Sequence, residues 1–186
     1  LNEVIMKIID IIMLFSPYGV FALMTSLMVE IPDFSTLGAL GIYGLTVLLG
    51  LFIMVFVFYS SLLMFYAKVN PVNFFKAIAP AQLLAFSTSS SAATLPVTME
   101  CVTEKVGVDE EVSSFVLPLG ATVNMDGTSL YQAVAAIFIA QAMLPVPLDL
   151  QTQLMIVVTA TLASIGSAAV PSAGMVMLVI VLGQAG

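Results

Sequence analysis

Histidine and tryptophan are absent from this chain, arginine is absent as well, and cysteine occurs once. Each absence excludes a kind of chemistry. Without histidine no Ser–His–Asp relay can be assembled. An intramembrane aspartyl protease needs two carboxylates sharing a site, whereas Asp126 stands alone in its run. The single thiol, Cys101, supports neither a disulfide framework nor metal-ligand spacing, and reads as a small buried apolar residue. Four scattered lysines supply no basic patch for nucleic acid. The chain does not read as an enzyme, and nothing in it calls for an organic cofactor.

Charge is scarce too. Charged side chains make up 8% of the 186 residues and hydrophobic ones 61%, where a soluble domain carries about 25% charged residues. No charged side chain occurs from Phe34 to Ala67, from Ala77 to Met99 or from Leu150 to Gly186, and between Glu111 and Asp149 the only charge is Asp126. Crossing a hydrocarbon layer of about 30 Å takes roughly 20 apolar residues as a helix. These runs predict an all-α polytopic membrane protein, and their repetition along the chain differs from the single N-terminal run of a signal peptide. The chain also reads as part of a longer protein, since it opens at Leu1 and stops soon after an apolar run.

Five membrane-embedded units can be read. The first, roughly Ile8 to Val29 with an interruption at Ser16-Pro17, is followed by a loop carrying Glu30, Pro32 and Asp33. The second runs from about Thr36 to Tyr66 and ends at Lys68, Asn70 and Pro71. The third, 71–103, has a short apolar arm from Ala77 to Phe86, a polar tip Ser87-Thr88-Ser89-Ser90-Ser91, then Leu95-Pro96 and a second short arm. Neither arm spans, so the unit reads as a re-entrant hairpin, permitted in lipid only where its tip faces protein or water. The plainer alternative is one kinked polar helix. The fourth unit, 112–143, is a span with Asp126 near its middle. The fifth, 148–186, repeats the third: Leu150 to Ala163, a break at Ser164-Ile165-Gly166-Ser167, and a return from Gly174 to Leu182. Ser-Ala-Ala precedes Pro96 and again Pro171, and paired interrupted segments point to a transporter's binding site at a repeat interface.

Lysine placement agrees with the hairpin reading. If the first unit starts in the cytoplasm, Lys7, Lys68, Lys76 and Lys105 all fall on that side, provided the third unit returns to the side it entered. Glu30, Asp33 and Asp149 then lie in lysine-free outer loops.

Asp126 carries the strongest chemical signal. A carboxylate at the bilayer centre costs about 2.5 kcal/mol or more and is functional by default. No basic residue lies in any span, so a bound cation is its natural counter-charge. Gly120, Thr122, Asn124, Gly127 and Thr128 surround it with residues that free carbonyl oxygens or add side-chain oxygens, a donor set suited to a hard cation such as sodium. The plainer alternative is a protonated Asp bonded to a neighbouring helix. The hairpin tips offer hydroxyls and helix N-termini suited to a carboxylate, or else only close packing through small residues. The twelve methionines read as space-fillers.

Three motifs carry a family likeness: Ser89-Ser90-Ser91 with Thr94-Leu95-Pro96, Asn124-Met125-Asp126-Gly127-Thr128, and Ser164-Ile165-Gly166 through Val170-Pro171 to Gly174. The chain resembles the dicarboxylate/amino acid:cation symporters, the glutamate transporter family. The resemblance implies transmembrane helices plus two re-entrant hairpins, one span unwound at its centre, and a homotrimer in the cell (inner or plasma) membrane whose transport domain moves against a fixed scaffold. Residues 1–33 would belong to the scaffold and 34–186 to the moving domain, with a spanning helix at 34–67. Gly120, Asn124 and Asp126 would be sodium ligands, and Thr122, Ser164, Ile165 and Ser167 carbonyl ligands of another sodium site. Ser89, Ser90, Ser91, Met125, Thr128, Val170 and Gly174 would bind an anionic small-molecule substrate, with the second hairpin as outer gate.

Some members carry Arg where this chain has Ser89. In the family an Arg on a following helix then partners the substrate's side-chain carboxylate, and that helix would lie beyond Gly186. The function implied is sodium-coupled symport of glutamate, aspartate or a C4-dicarboxylate by alternating access. Proton coupling, a neutral amino acid as substrate, a passive channel on the same frame and a ligand-free membrane subunit are the alternatives.

Overall fold

The computed structural model describes residues 2–30, 35–143, 147–170 and 172–184. Among them every regular element is helical, as the composition requires, and no strand occurs. The helices are α1 (Asn2–Glu30), α2 (Ser35–Ile53), α3 (Ser60–Phe65), α4 (Pro71–Ala77), α5 (Ala79–Thr88), α6 (Ser91–Glu100), α7 (Glu110–Val123), α8 (Asp126–Met143), α9 (Leu150–Ile165) and α10 (Ala173–Leu182). Single π-helical turns, Met54–Tyr59 and Cys101–Val106, follow α2 and α6. The chain divides into a unit of residues 1–42 and one of residues 43–186.

In the first unit α1 passes through Pro17 without a break, so the interruption expected at Ser16-Pro17 does not form. Proline removes one helical N–H, and a long apolar helix tolerates that where the freed carbonyl finds another partner. Large side chains such as Phe15, Tyr18 and Phe21 stand exposed on it. Of the loop expected after this helix, Ile31 to Phe34 lie outside the described residues.

The helix through α2, its π turn and α3 is the one among the described residues long and apolar enough to cross a membrane. It covers Gly38–Phe65, 28 residues, and an 18-residue stretch within it has a mean hydropathy of 2.5 with none of its residues buried. At 1.5 Å per residue it is about 42 Å long, more than a hydrocarbon layer needs. Asn70 caps the next helix by accepting the Val72 N–H at 2.9 Å, with Pro71 at the first helical position, where its missing N–H costs nothing.

Both polar breaks are narrower or later than their composition suggests. Ser87 and Thr88 stay in α5, their hydroxyls donating to the carbonyls of Leu83 and Leu84 at 2.7 and 2.8 Å, a bond that a mid-helix Ser or Thr can make without leaving the helix. Only Ser89 and Ser90 leave the helix: Ser89 takes a left-handed φ of 49°, and Ser90 caps α6 by accepting the Ala93 N–H at 3.2 Å. The chain then folds back so that α6 packs on α5. Likewise Ser164 and Ile165 remain in α9, with the Ser164 hydroxyl on Thr161 O at 2.8 Å, and the irregular stretch starts at Gly166. Ser172 precedes α10 with a φ of 64° and makes no side-chain cap hydrogen bond.

The core lies where α8, α9 and α10 pack on one another. Ala136, Ile156, Ala160, Ala163 and Val181 are buried there, flanked by Ile137, Met177 and Leu178. Three of the five are alanine, which allows helix backbones to approach closely, the usual device of helix pairs in lipid. Cys101 is also buried and unpaired, as its composition suggested.

Candidate functional site

Helix α7 ends at Val123 and α8 begins at Asp126, leaving Asn124 and Met125 outside either helix. Glycine at 120 and Asn at 124 are weak helix formers, and the stop places the Asn124 N–H on Gly120 O at 2.9 Å. Two other breaks meet beside this one. The carbonyl of Ala169 accepts the Ser90 hydroxyl at 3.1 Å and the Ala92 N–H at 3.2 Å. The loop between α9 and α10 is thereby tied to the tip between α5 and α6.

A cavity of about 490 Å³ opens at this junction. From the first tip it takes Ser89 and Ser91, from the central break Asn124 to Thr128, and from the second Ser167, Val170 and Gly174. Of the substrate residues expected from the sequence, Ser90 alone does not line it: that side chain is 4% exposed and spends its hydroxyl on joining the tips. Gly174 has to be glycine. A Cβ there would overlap the Tyr131 hydroxyl and lie 2.9 Å from Thr128 Cγ2. The same residue's carbonyl accepts Gln132 Nε2 at 2.8 Å, so the start of α10 is held hard against α8.

The residues expected to hold sodium are distributed around Asn124 and Asp126. Ser164 and Ile165 share a second cavity, about 380 Å³, with Asn124, Asp126, Ser129 and Thr161. Gly120 lies in a third, about 390 Å³, with Asn124, Ser91 and Thr94. Ser167 faces the large cavity, and Thr122 lines none of the three, its hydroxyl donating to Leu119 O at 3.0 Å. Asn124 lines all three cavities and Asp126 two. Among the described residues no three His, Cys, Asp or Glu side chains cluster. The donors around Asp126 are one carboxylate and neutral oxygens, an oxygen-only set of the type hard cations take.

Three residues here escaped the sequence reading. The Tyr59 hydroxyl donates to Asp126 Oδ2 across 67 residues of chain. Tyr131 lines the large cavity, and Gln132 is fully buried. Tyr131 was findable, being three residues after Thr128 and so on the same helical face. Tyr59 was not, because its run is uniformly apolar and only the tertiary fold aims it.

Among the described residues every regular element is helical and three helix breaks meet beside Asp126, an arrangement in keeping with a polytopic membrane protein. This chain belongs to the sodium:dicarboxylate symporter family, whose sequence model matches residues 1–186. It is 46% identical over 187 residues to excitatory amino acid transporter 2 of Homo sapiens, covering 100% of this chain and 32% of that one. It is 46% identical to an excitatory amino acid transporter of Caenorhabditis elegans, 37% of which is covered, and 44% identical to excitatory amino acid transporter 1 of Homo sapiens, 34% of which is covered. The chain thus spans about a third of the length of these curated relatives. The family is one of membrane symporters rather than of enzymes.

Proposed function

We propose that this chain forms the ion- and substrate-binding part of a secondary active transporter, one that couples sodium entry to uptake of glutamate, aspartate or a C4-dicarboxylate by alternating access. The observation that carries this reading is the convergence of three broken segments on one cavity. Its volume of about 490 Å³ falls in the range of roughly 300–1,000 Å³ typical of small-molecule sites.

In this reading α5–α6 and α9–α10 are re-entrant hairpins, and the break at Asn124-Met125 is the unwound centre of a span. Ser89, Ser91, Met125, Thr128, Val170 and Gly174 contact the substrate, while Ser90 holds the tips together. Sodium is the co-substrate: Gly120, Asn124 and Asp126 form one ligand set, and Thr122, Ser164, Ile165 and Ser167 contribute carbonyl oxygens to another. The Ser90–Ala169 contact is the closed state of a gate, and parting of the tips admits substrate. Residues 1–33 belong to a scaffold and 34–186 to the moving domain of a homotrimer in the plasma membrane. The names of the relatives, all excitatory amino acid transporters, favour an acidic amino acid.

The test uses the full-length protein in lipid vesicles with an inward sodium gradient and labelled aspartate. Accumulation above equilibrium, lost in Asp126→Asn with the protein still folded, is expected. Uptake that only equilibrates would sink symport in favour of a passive pathway, and wild-type sodium dependence in Asp126→Asn would remove the cation role of that carboxylate.

A further inference from the structure

Tyr59 closes the π-helical turn Met54–Tyr59 inside the long apolar helix Gly38–Phe65. A π turn inserts an extra residue, and at about 100° per residue it re-aims every side chain that follows. Such turns are rare and recur at functional sites. The displaced register shows in the Ser60 hydroxyl, which reaches Val55 O five residues back at 3.4 Å.

Tyr59 is also placed between two unlike environments. It lines the large polar cavity with Asp126, and it lines an apolar one of about 420 Å³ with Leu62, Leu63, Phe74 and Phe75. A tyrosine suits such a boundary, having an apolar ring and a polar tip. Its hydroxyl donates to Oδ2 of Asp126, whose carboxylate has two oxygens and about four lone-pair positions.

We infer that Tyr59 is a positioning residue for the coupling cation: its hydroxyl holds Oδ2 and so fixes the Asp126 carboxylate in one orientation, presenting the remaining oxygen to the ion. This rests on the reading of Asp126 as a cation ligand. The consequence is selectivity as well as affinity. A carboxylate held at one oxygen offers a fixed distance to the ion, whereas a freely turning one can follow ions of different radius. Removing the hydroxyl therefore weakens sodium binding and blurs discrimination between sodium and lithium, while the gate and substrate contacts stay intact.

The test compares wild type, Tyr59→Phe, Tyr59→Leu and Asp126→Asn in the full-length protein, read on the folded, vesicle-reconstituted fraction. Sodium and lithium titrations of labelled aspartate uptake give half-saturation and maximal rate separately. Tyr59→Phe keeps the ring in its apolar cavity. It is expected to raise the sodium concentration for half-maximal uptake roughly tenfold, the scale of one hydrogen bond to a charged group, with maximal rate at saturating sodium little changed. Its lithium-to-sodium activity ratio should rise. Tyr59→Leu should show the same sodium shift together with lower thermal stability. A wild-type sodium half-saturation and lithium ratio in Tyr59→Phe, with Asp126→Asn impaired, would overturn the role of Tyr59 alone. A fall in maximal rate at unchanged half-saturation would also overturn it, since that is what a packing role gives. Wild-type sodium dependence in Asp126→Asn would overturn the ligand reading and this inference together.

Discussion

The Ser90 hydroxyl lies 3.1 Å from the Ala169 carbonyl oxygen, joining two helix breaks separated by 79 residues of sequence. The same hydroxyl accepts the Ala93 N–H at 3.2 Å, so one side chain both starts α6 and latches the neighbouring tip. The Ala92 N–H reinforces the latch from the backbone at 3.2 Å, which no substitution at Ser90 removes.

Ser90→Ala should therefore weaken the tip contact without abolishing it. Loss of a helix cap costs about 1 kcal/mol, and loss of one neutral hydrogen bond about the same. Amide hydrogen exchange across residues 166–172 is expected to speed up several-fold, while the core of α8 and α9 keeps its protection. Unchanged exchange in that stretch would mean the backbone bond alone carries the contact.

At Gly174 the direction is also firm. An added methyl meets the Tyr131 ring and Thr128, and overpacking of this kind costs about 1–3 kcal/mol. Gly174→Ala should lower thermal stability and weaken aspartate binding, because α10 must retreat from α8. Adding Tyr131→Phe removes the closest clashing atom and should restore part of both, which thermal melts and binding titrations on the single and double variants can check.

Ser89 presents two opposed effects. Its φ of 49° is costly for a residue with a Cβ, by roughly 1–2 kcal/mol, and free for glycine. Ser89→Gly should raise the melting temperature. It also deletes a hydroxyl from the large cavity, so aspartate affinity should fall. A rise in stability with unchanged affinity would take Ser89 out of the substrate contacts.

Asp149 gives a pH-dependent prediction outside the membrane. It caps α9, and hydrogen bonding from the Thr152 side chain and then its N–H (3.1 Å) holds the carboxyl below its ordinary value of 3.8. A depressed folded value means the contribution is complete above that ordinary value and disappears as the pH falls through the lower folded one. Asp149→Ala should melt lower than wild type at about pH 7, and the gap should narrow as the pH falls below 3.8. Asp149→Asn, which also caps helices, should retain most of the neutral-pH stability.

The sequence by itself determined the helical class. Uncharged runs as long as Phe34 to Ala67 leave no solution except helices that satisfy their own backbone, and Asp126 stands out against them because isolation in an apolar run is a one-dimensional property. The helix bounds were less legible. Ser87, Thr88 and Ser164 read as loop by composition, yet they are helical, with their hydroxyls on carbonyls three or four residues back. Pro17 likewise sits inside an unbroken helix.

Only the tertiary structure decided what meets what. Ser90 was one of three adjacent serines until the fold turned it away from the cavity and onto Ala169. Tyr59 was one aromatic among many until a π turn brought its hydroxyl to Asp126. Periodicity records which residues are apolar, but the direction of a hydroxyl depends on the helix register and on a partner tens of residues away. No local pattern encodes that partner.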